Sequence, residues 1–123
     1  MIHKFDAQGA KCGIYAICIE NKIVYIGQSS NLPVRAKEHE DYIRKGHNYK
    51  SQAWYPIALE FYRRGYDFTF QVLEEVDSSQ LLERETALIR KEWPIFNERI
   101  TEKERKQRVR SYQEALEILG LRE

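Results

Sequence analysis

Two runs rich in Ile, Val and Tyr, from about Lys11 to Ile19 and from about Lys22 to Gln28, stand on either side of the polar triplet Glu20-Asn21-Lys22. β-Branched and aromatic residues in period-2 order with a short polar break between them signal a β-hairpin, so an antiparallel sheet is expected. If the loop has three residues, Ile19 faces Ile23 and partner numbers sum to an even value, which puts residues of equal parity on one face. Cys12, Ile14, Ala16 and Cys18 then join Val24 and Ile26 on an apolar face, while Tyr15 and Tyr25 share the other. A two-residue loop would split the apolar set between the faces, so the hydrophobic pattern selects the odd loop.

Capping signals place the remaining elements. Ser30-Asn31 is an N-cap signal, Pro33 suits a first helical turn, and Gly46 after Arg44-Lys45 is a stop, which predicts a helix from about Leu32 to Lys45. A second helix is predicted from Tyr55 to Arg64, with Pro56 at its start and Gly65 at its end. Asp67 to Glu75 reads as a third strand, because Phe68, Phe70 and Val72 alternate with Thr69, Gln71 and Leu73. Asp77 with Gln80 resembles a capping box opening a helix to about Glu92, ahead of Pro94. Thr101 with Glu104 and Ser111 with Glu114 offer further caps, so the tail is one helix or two with a bend near Ser111. The expected fold class is α/β in the broad sense, of the α+β kind: a central three-stranded antiparallel sheet flanked by helices, with a C-terminal helical tail. At 123 residues the chain is one domain, taken as 1–98, followed by a tail at 99–123.

Hydrophobic residues make up 42% and charged residues 32%, a balance that excludes disordered and collagen-like chains. No window approaches the roughly 18 apolar residues of a membrane span, and Met1 to Asp6 has no apolar signal core, so no membrane partner and a cytoplasmic setting are expected. Cys12 and Cys18 stand outside any CxxC pair and read as small buried hydrophobes. Net charge is only +1, yet Arg99, Lys103, Arg105, Lys106, Arg108 and Arg110 stand against only Glu102 and Glu104 in one short stretch. Contact with a polyanion is therefore expected to be local. Val109, Tyr112, Leu116 and Leu119 form a separate apolar stripe in the tail.

Polar residues occupy positions that the pattern assigns to the core, where an unpaired polar group costs several kcal/mol in order of magnitude. Arg35 and His39 lie on the inward stripe marked by Leu32, Ala36 and Ile43. Glu85 stands at the centre of a stripe marked by Leu81, Leu82, Leu88 and Ile89. An Arg, a His and a Glu are thus all aimed at the sheet that carries Tyr15 and Tyr25. Periodicity alone leaves two readings open: a functional cluster, or packing tyrosines with a buried Arg35–Glu85 ion pair.

These residues also spell a signature. Gly13-Ile14-Tyr15, Tyr25-Ile26-Gly27, Arg35 with His39, and Glu85 leading through Leu88-Ile89-Arg90 to Pro94 and Asn97 resemble, block by block, the catalytic domain of the GIY-YIG nuclease superfamily. The resemblance runs from about Lys11 to Asn97, and members include homing endonucleases and excision-repair nuclease subunits. It implies a metal-dependent endonuclease that hydrolyses phosphodiester bonds, with nucleic acid as partner, DNA ahead of RNA, and Mg²⁺ or Mn²⁺ as cofactor. The implied catalytic set is Tyr15, Tyr25, Arg35, His39, Glu85 and Asn97. Tyr15 positions or activates the attacking water, Arg35 neutralises the phosphate, and Glu85 holds the one cation. Tyr25 supports the cluster and Asn97 ties the last loop to it, while either Tyr15 or His39 serves as the base. Many relatives carry Lys after YIG where this chain has Gln28, which shifts weight to His39. Gly27, Gln28 and His47 are candidate substrate contacts, and Arg105, Lys106 and Arg108 are candidate phosphate contacts in the tail. A protein partner or a dimer through the tail is a further expectation. The rival functions are a non-catalytic nucleic-acid-binding module and a cytosolic interaction protein on the same fold.

Overall fold

Glu20 and Asn21 both have positive φ, 50° and 65°, and form a two-residue turn of the kind that matches strand twist. They join β1 (Gly13–Ile19) to β2 (Lys22–Ser29) in the computed structural model, which describes residues 5–45, 54–97, 109 and 111–121. The expected three-residue loop is therefore corrected: Ile19 pairs with Lys22 and Cys18 with Ile23. Val24 is then inserted as a bulge, after which Ile17 pairs with Tyr25, Ala16 with Ile26 and Tyr15 with Gly27. The bulge restores the even register by another route, and Tyr15 and Tyr25 do share a face. Val24 does not lie where the sequence placed it, because the inserted residue buries on the Tyr15 side while Ile23 packs with Cys18.

β3 (Phe68–Glu75) pairs antiparallel with the other edge of β1, giving the order β2-β1-β3 and a middle strand buried on both faces. A second bulge at Leu73 shifts the register so that Ile14 opposes Glu74. The backbone of Glu74 and Glu75 then crowds Gly13, where a Cβ would stand 3.1 Å from the Glu75 Cα and overlap the Glu74 carbonyl. Glycine at this position follows from that close approach.

One face of the sheet carries Tyr15, Ile17, Ile19, Val24, Phe68 and Phe70, and is covered by α1 (Leu32–Lys45), α2 (Tyr55–Arg63) and α4 (Tyr112–Leu119). The opposite face carries Ile14, Ala16, Cys18 and Ile26, and is covered by Leu81 and Ile89 of α3 (Leu81–Glu92). The cap of α1 is Asn31, whose Oδ1 accepts from the Val34 N–H. The capping box at Asp77 does not form: a 3₁₀ turn, Ser78–Gln80, precedes α3, and Gln80 N–H donates to the Asp77 carbonyl, not to its side chain. Leu82 is 69% exposed, so the inward stripe of α3 is narrower than the sequence suggested.

Ser111 Oγ accepts from the Glu114 N–H at 3.1 Å and starts α4, and Gly120 ends it at φ 67°. The apolar stripe of this helix docks into the main core. The Tyr112 ring lies 4.7 Å from that of Phe61, and the Arg64 guanidinium sits 4.4 Å above Tyr112. Because that aromatic contact ties α4 to α2, Tyr112→Ala is expected to destabilise the protein by about 3 kcal/mol or more, read as a lowered denaturant midpoint.

Candidate active site

The Tyr15 ring crosses β2 over Gly27, its cross-strand partner, and stacks on Phe70 at 4.8 Å. A Cβ on residue 27 would lie 2.6 Å from Tyr15 Cζ, inside van der Waals contact, so only glycine leaves room for the phenol. From α1, two side chains one turn apart reach that phenol. The Arg35 Nε–H donates to the Tyr15 oxygen at 3.3 Å, and His39 Nε2 lies 2.7 Å from the same oxygen. The other ring nitrogen, Nδ1, lies 2.9 Å from the hydroxyl of Tyr55, the first residue of α2. Tyr25 closes the group, 5.6 Å from the His39 ring and 5.0 Å from Trp54, and Trp54 itself lies 5.8 Å from His39.

The centre of the cluster is buried, and Arg35 and Tyr25 at its rim are half-buried. Tyr15 is 1% exposed and His39 and Tyr55 are fully buried, whereas the Arg35 side chain keeps 27% of its surface and lies 3.7 Å from Glu38. Burial, and then the neighbouring Tyr25, push the Tyr15 hydroxyl well above its usual range, and Arg35 opposes them only in part. Burial, and then the Arg35 charge, hold His39 well below the usual imidazole range, so the ring is neutral. Burial works against the charge on Arg35, but the surrounding phenols, Tyr15 foremost, outweigh it and keep the guanidinium ionised. Burial also raises the Tyr55 hydroxyl.

Glu85 does not join this group. It belongs to α3, on the opposite face of the sheet, and no ion pair links it to Arg35 among the described residues. The expectation that Arg35, His39 and Glu85 converge on one face is corrected here: a helical stripe shows which side of a helix is buried, not which side of the sheet the helix covers. Burial raises the Glu85 carboxyl, and the Gln28 amide beside it offsets part of that rise. The two groups approach the same end of β2, since Gly27 lies under Tyr15 and Gln28, the next residue, faces α3.

Asn97 works on the backbone. Its Oδ1 accepts from the Ile26 N–H and its Nδ2 donates to the Ile26 carbonyl, both at 2.9 Å. With the Phe96 N–H donating to the Val24 carbonyl at 2.8 Å, the turn after α3 occupies the free edge of β2. His47, Arg105, Lys106 and Arg108 lie outside the described residues. Sequence reasoning missed Tyr55 and Trp54. The Tyr55-Pro56 pair marked a helix start, but no local pattern tells that its phenol meets an imidazole 16 residues away.

The family model for the GIY-YIG catalytic domain matches residues 11–99, and the chain belongs to that family. Comparison with curated proteins and with solved structures gives no match. Gly27 gives the Tyr15 phenol its room, and its removal has a measurable cost. Gly27→Ala is expected to lose about 1–3 kcal/mol of stability through overpacking against the Tyr15 ring, measured by urea unfolding.

Proposed function

We propose that this nuclease-family domain is a metal-dependent endonuclease that hydrolyses phosphodiester bonds, with DNA preferred to RNA. The observation that carries the reading is the chain Arg35–Tyr15–His39, buried except where the guanidinium reaches solvent. An always-ionised, forked donor at the surface of a buried cluster suits a phosphate, whose oxygens gain charge in the transition state. Tyr15, directly behind it, orients the attacking water and takes its proton. A phenol with a raised pKa cannot wait as phenolate near neutral pH, so Tyr15 must hand its own proton on as it accepts another. Neutral His39, 2.7 Å away, is the acceptor.

Glu85 fits a hard divalent cation: it is a half-buried carboxylate with no cationic partner among the described residues, and one carboxylate with waters suffices for Mg²⁺. When bound, Mg²⁺ or Mn²⁺ supplies charge stabilisation to the phosphoryl oxygens. Among the described residues no cluster of three His, Cys, Asp or Glu groups offers an all-protein cage, and no helix is long and apolar enough to cross a membrane. The basic stretch around Arg105, Lys106 and Arg108 supplies charge for phosphate contact.

A panel of duplex, branched and single-stranded DNA and RNA, digested with Mg²⁺, with Mn²⁺ and with excess chelator, tests the proposal. Cleavage is expected only with a cation, and an intact panel under every condition would leave a binding module. Arg35→Ala is expected to lower the cleavage rate by about a hundredfold or more while weakening substrate binding far less. Glu85→Gln is expected to abolish cleavage and to leave the fold as stable or slightly more so. Because burial raises this carboxyl, its ionised form costs stability as pH rises from its unfolded value through its folded one, and the Gln variant lacks that dependence. A melting curve for each protein across that pH range, without metal, checks the second point.

A further inference from the structure

The geometry assigns Tyr55, which lies outside the motif blocks of the family, as the positioning residue for His39: its oxygen accepts the Nδ1 proton and so turns the Nε2 lone pair towards Tyr15. The assignment rests on the nuclease reading for its catalytic consequence, but not for the hydrogen-bond direction itself.

A neutral imidazole has one donor and one acceptor nitrogen, and both nitrogens of His39 are engaged by phenols, Tyr15 at Nε2 and Tyr55 at Nδ1. Two arrangements satisfy these contacts. In one, Tyr15 O–H donates to Nε2 and Nδ1–H donates to Tyr55; in the other, both donors are reversed. The symmetry is broken at the Tyr15 end, where the Arg35 Nε–H already donates to the phenol oxygen. Guanidinium can only donate, so reversal would converge two N–H groups on one oxygen beside a fixed positive charge. That charge orders the chain of dipoles with each negative end towards Arg35, and a phenol that accepts from a cation is also the better donor. The protons therefore run from Tyr15 to His39 to Tyr55. The groups facing the imidazole are Tyr15 from β1, Tyr25 from β2, Arg35 on its own helix with Glu38 beside it, and Tyr55 with Trp54 at the start of α2.

The chemical step follows from this direction. As a water O–H bond breaks, its proton goes to the Tyr15 oxygen and the hydroxide attacks phosphorus. The original Tyr15 O–H breaks at the same time, and its proton forms the Nε2–H bond. The displaced alkoxide leaves with the electron pair of the broken P–O bond and takes a proton from solvent, while the imidazolium returns its proton through Tyr15. During the step the positive charge on His39 is shared with Nδ1–H, whose bond to the Tyr55 oxygen strengthens. Tyr55 is fully buried and touches no substrate, so its contribution appears in turnover and not in binding.

Two measurements test the assignment. Nitrogen-15 NMR of the unmodified protein reads the tautomer of His39 directly, and the Nδ1–H form is expected; the Nε2–H form would overturn the proposal, whatever the protein cleaves. On a substrate that the wild-type protein cuts, Tyr55→Phe is expected to lower kcat by about ten- to a hundredfold with KM unchanged. It should also move the acidic limb of the pH–rate profile to lower pH, because His39 without its acceptor is harder to protonate. An unchanged kcat, or a slower enzyme with an unmoved limb, would show that Tyr55 only packs. Should Tyr55→Phe fail to fold, the wild-type tautomer still decides. Absence of cleavage by the wild-type protein would instead remove the nuclease reading and leave the NMR result standing.

Discussion

A phenol can lie flat across the middle of a small sheet only where the neighbouring strand leaves a gap, and Gly27 is that gap. Tyr15 on β1 passes over it, with its hydroxyl delivered to Arg35 and His39 and its ring held against Phe70 on the far strand. Every other placement in the cluster depends on this seat. α1 can present a guanidinium and an imidazole to one oxygen because its N-cap, Asn31, follows β2 by two residues and fixes where the first turn begins. The cost of burying these polar groups is limited because each meets a partner, and the one permanent charge among them, on Arg35, stays at the surface where water and Glu38 reach it.

The carboxylate implied as the metal ligand is held by a different layer of the molecule. α3 rests on the opposite face through Leu81 and Ile89, and the turn that follows it is stitched to the outer edge of β2 by Asn97 and Phe96. β2 is thus the strand both layers share: Tyr15 uses its Gly27, α3 faces its Gln28, and the closing turn uses the backbone of Val24 and Ile26. Asn97 contributes by fixing that strand, since both atoms of its amide are committed to the Ile26 peptide groups.

How much of this was legible in the chain depends on whether the signal is local. The bounds of α1 follow from Asn31, Pro33 and Arg44-Lys45, because caps act within one turn. The shared face of Tyr15 and Tyr25 was legible from parity, but the means was not: a three-residue loop and a two-residue turn with a bulge give the same register beyond Val24. Asp77 carried the right residue type for a cap, yet the chain enters α3 through a 3₁₀ turn that uses the backbone carbonyl. Glu85 was legible as a polar group on an apolar stripe, whereas the face that α3 covers is set by the connection from β3, which no period reports. Tyr55 left no signal at all, since an aromatic at a helix start reads as core until its neighbour in space is known.

The strand order β2-β1-β3 also sorts folding events in time. β1 and β2 are joined by two residues, and hairpins of that kind close in about 1–10 μs, so Tyr15 can meet Gly27 early. β3 pairs with the other side of β1 only after a long intervening segment closes, and the entropy of that closure must be met before its contacts add any stability. Phe70, which stacks on the Tyr15 ring from the neighbouring strand, therefore joins it after the hairpin. The Tyr15 hydroxyl is gripped by α1, while its ring gains its support from the far strand only when β3 joins the sheet.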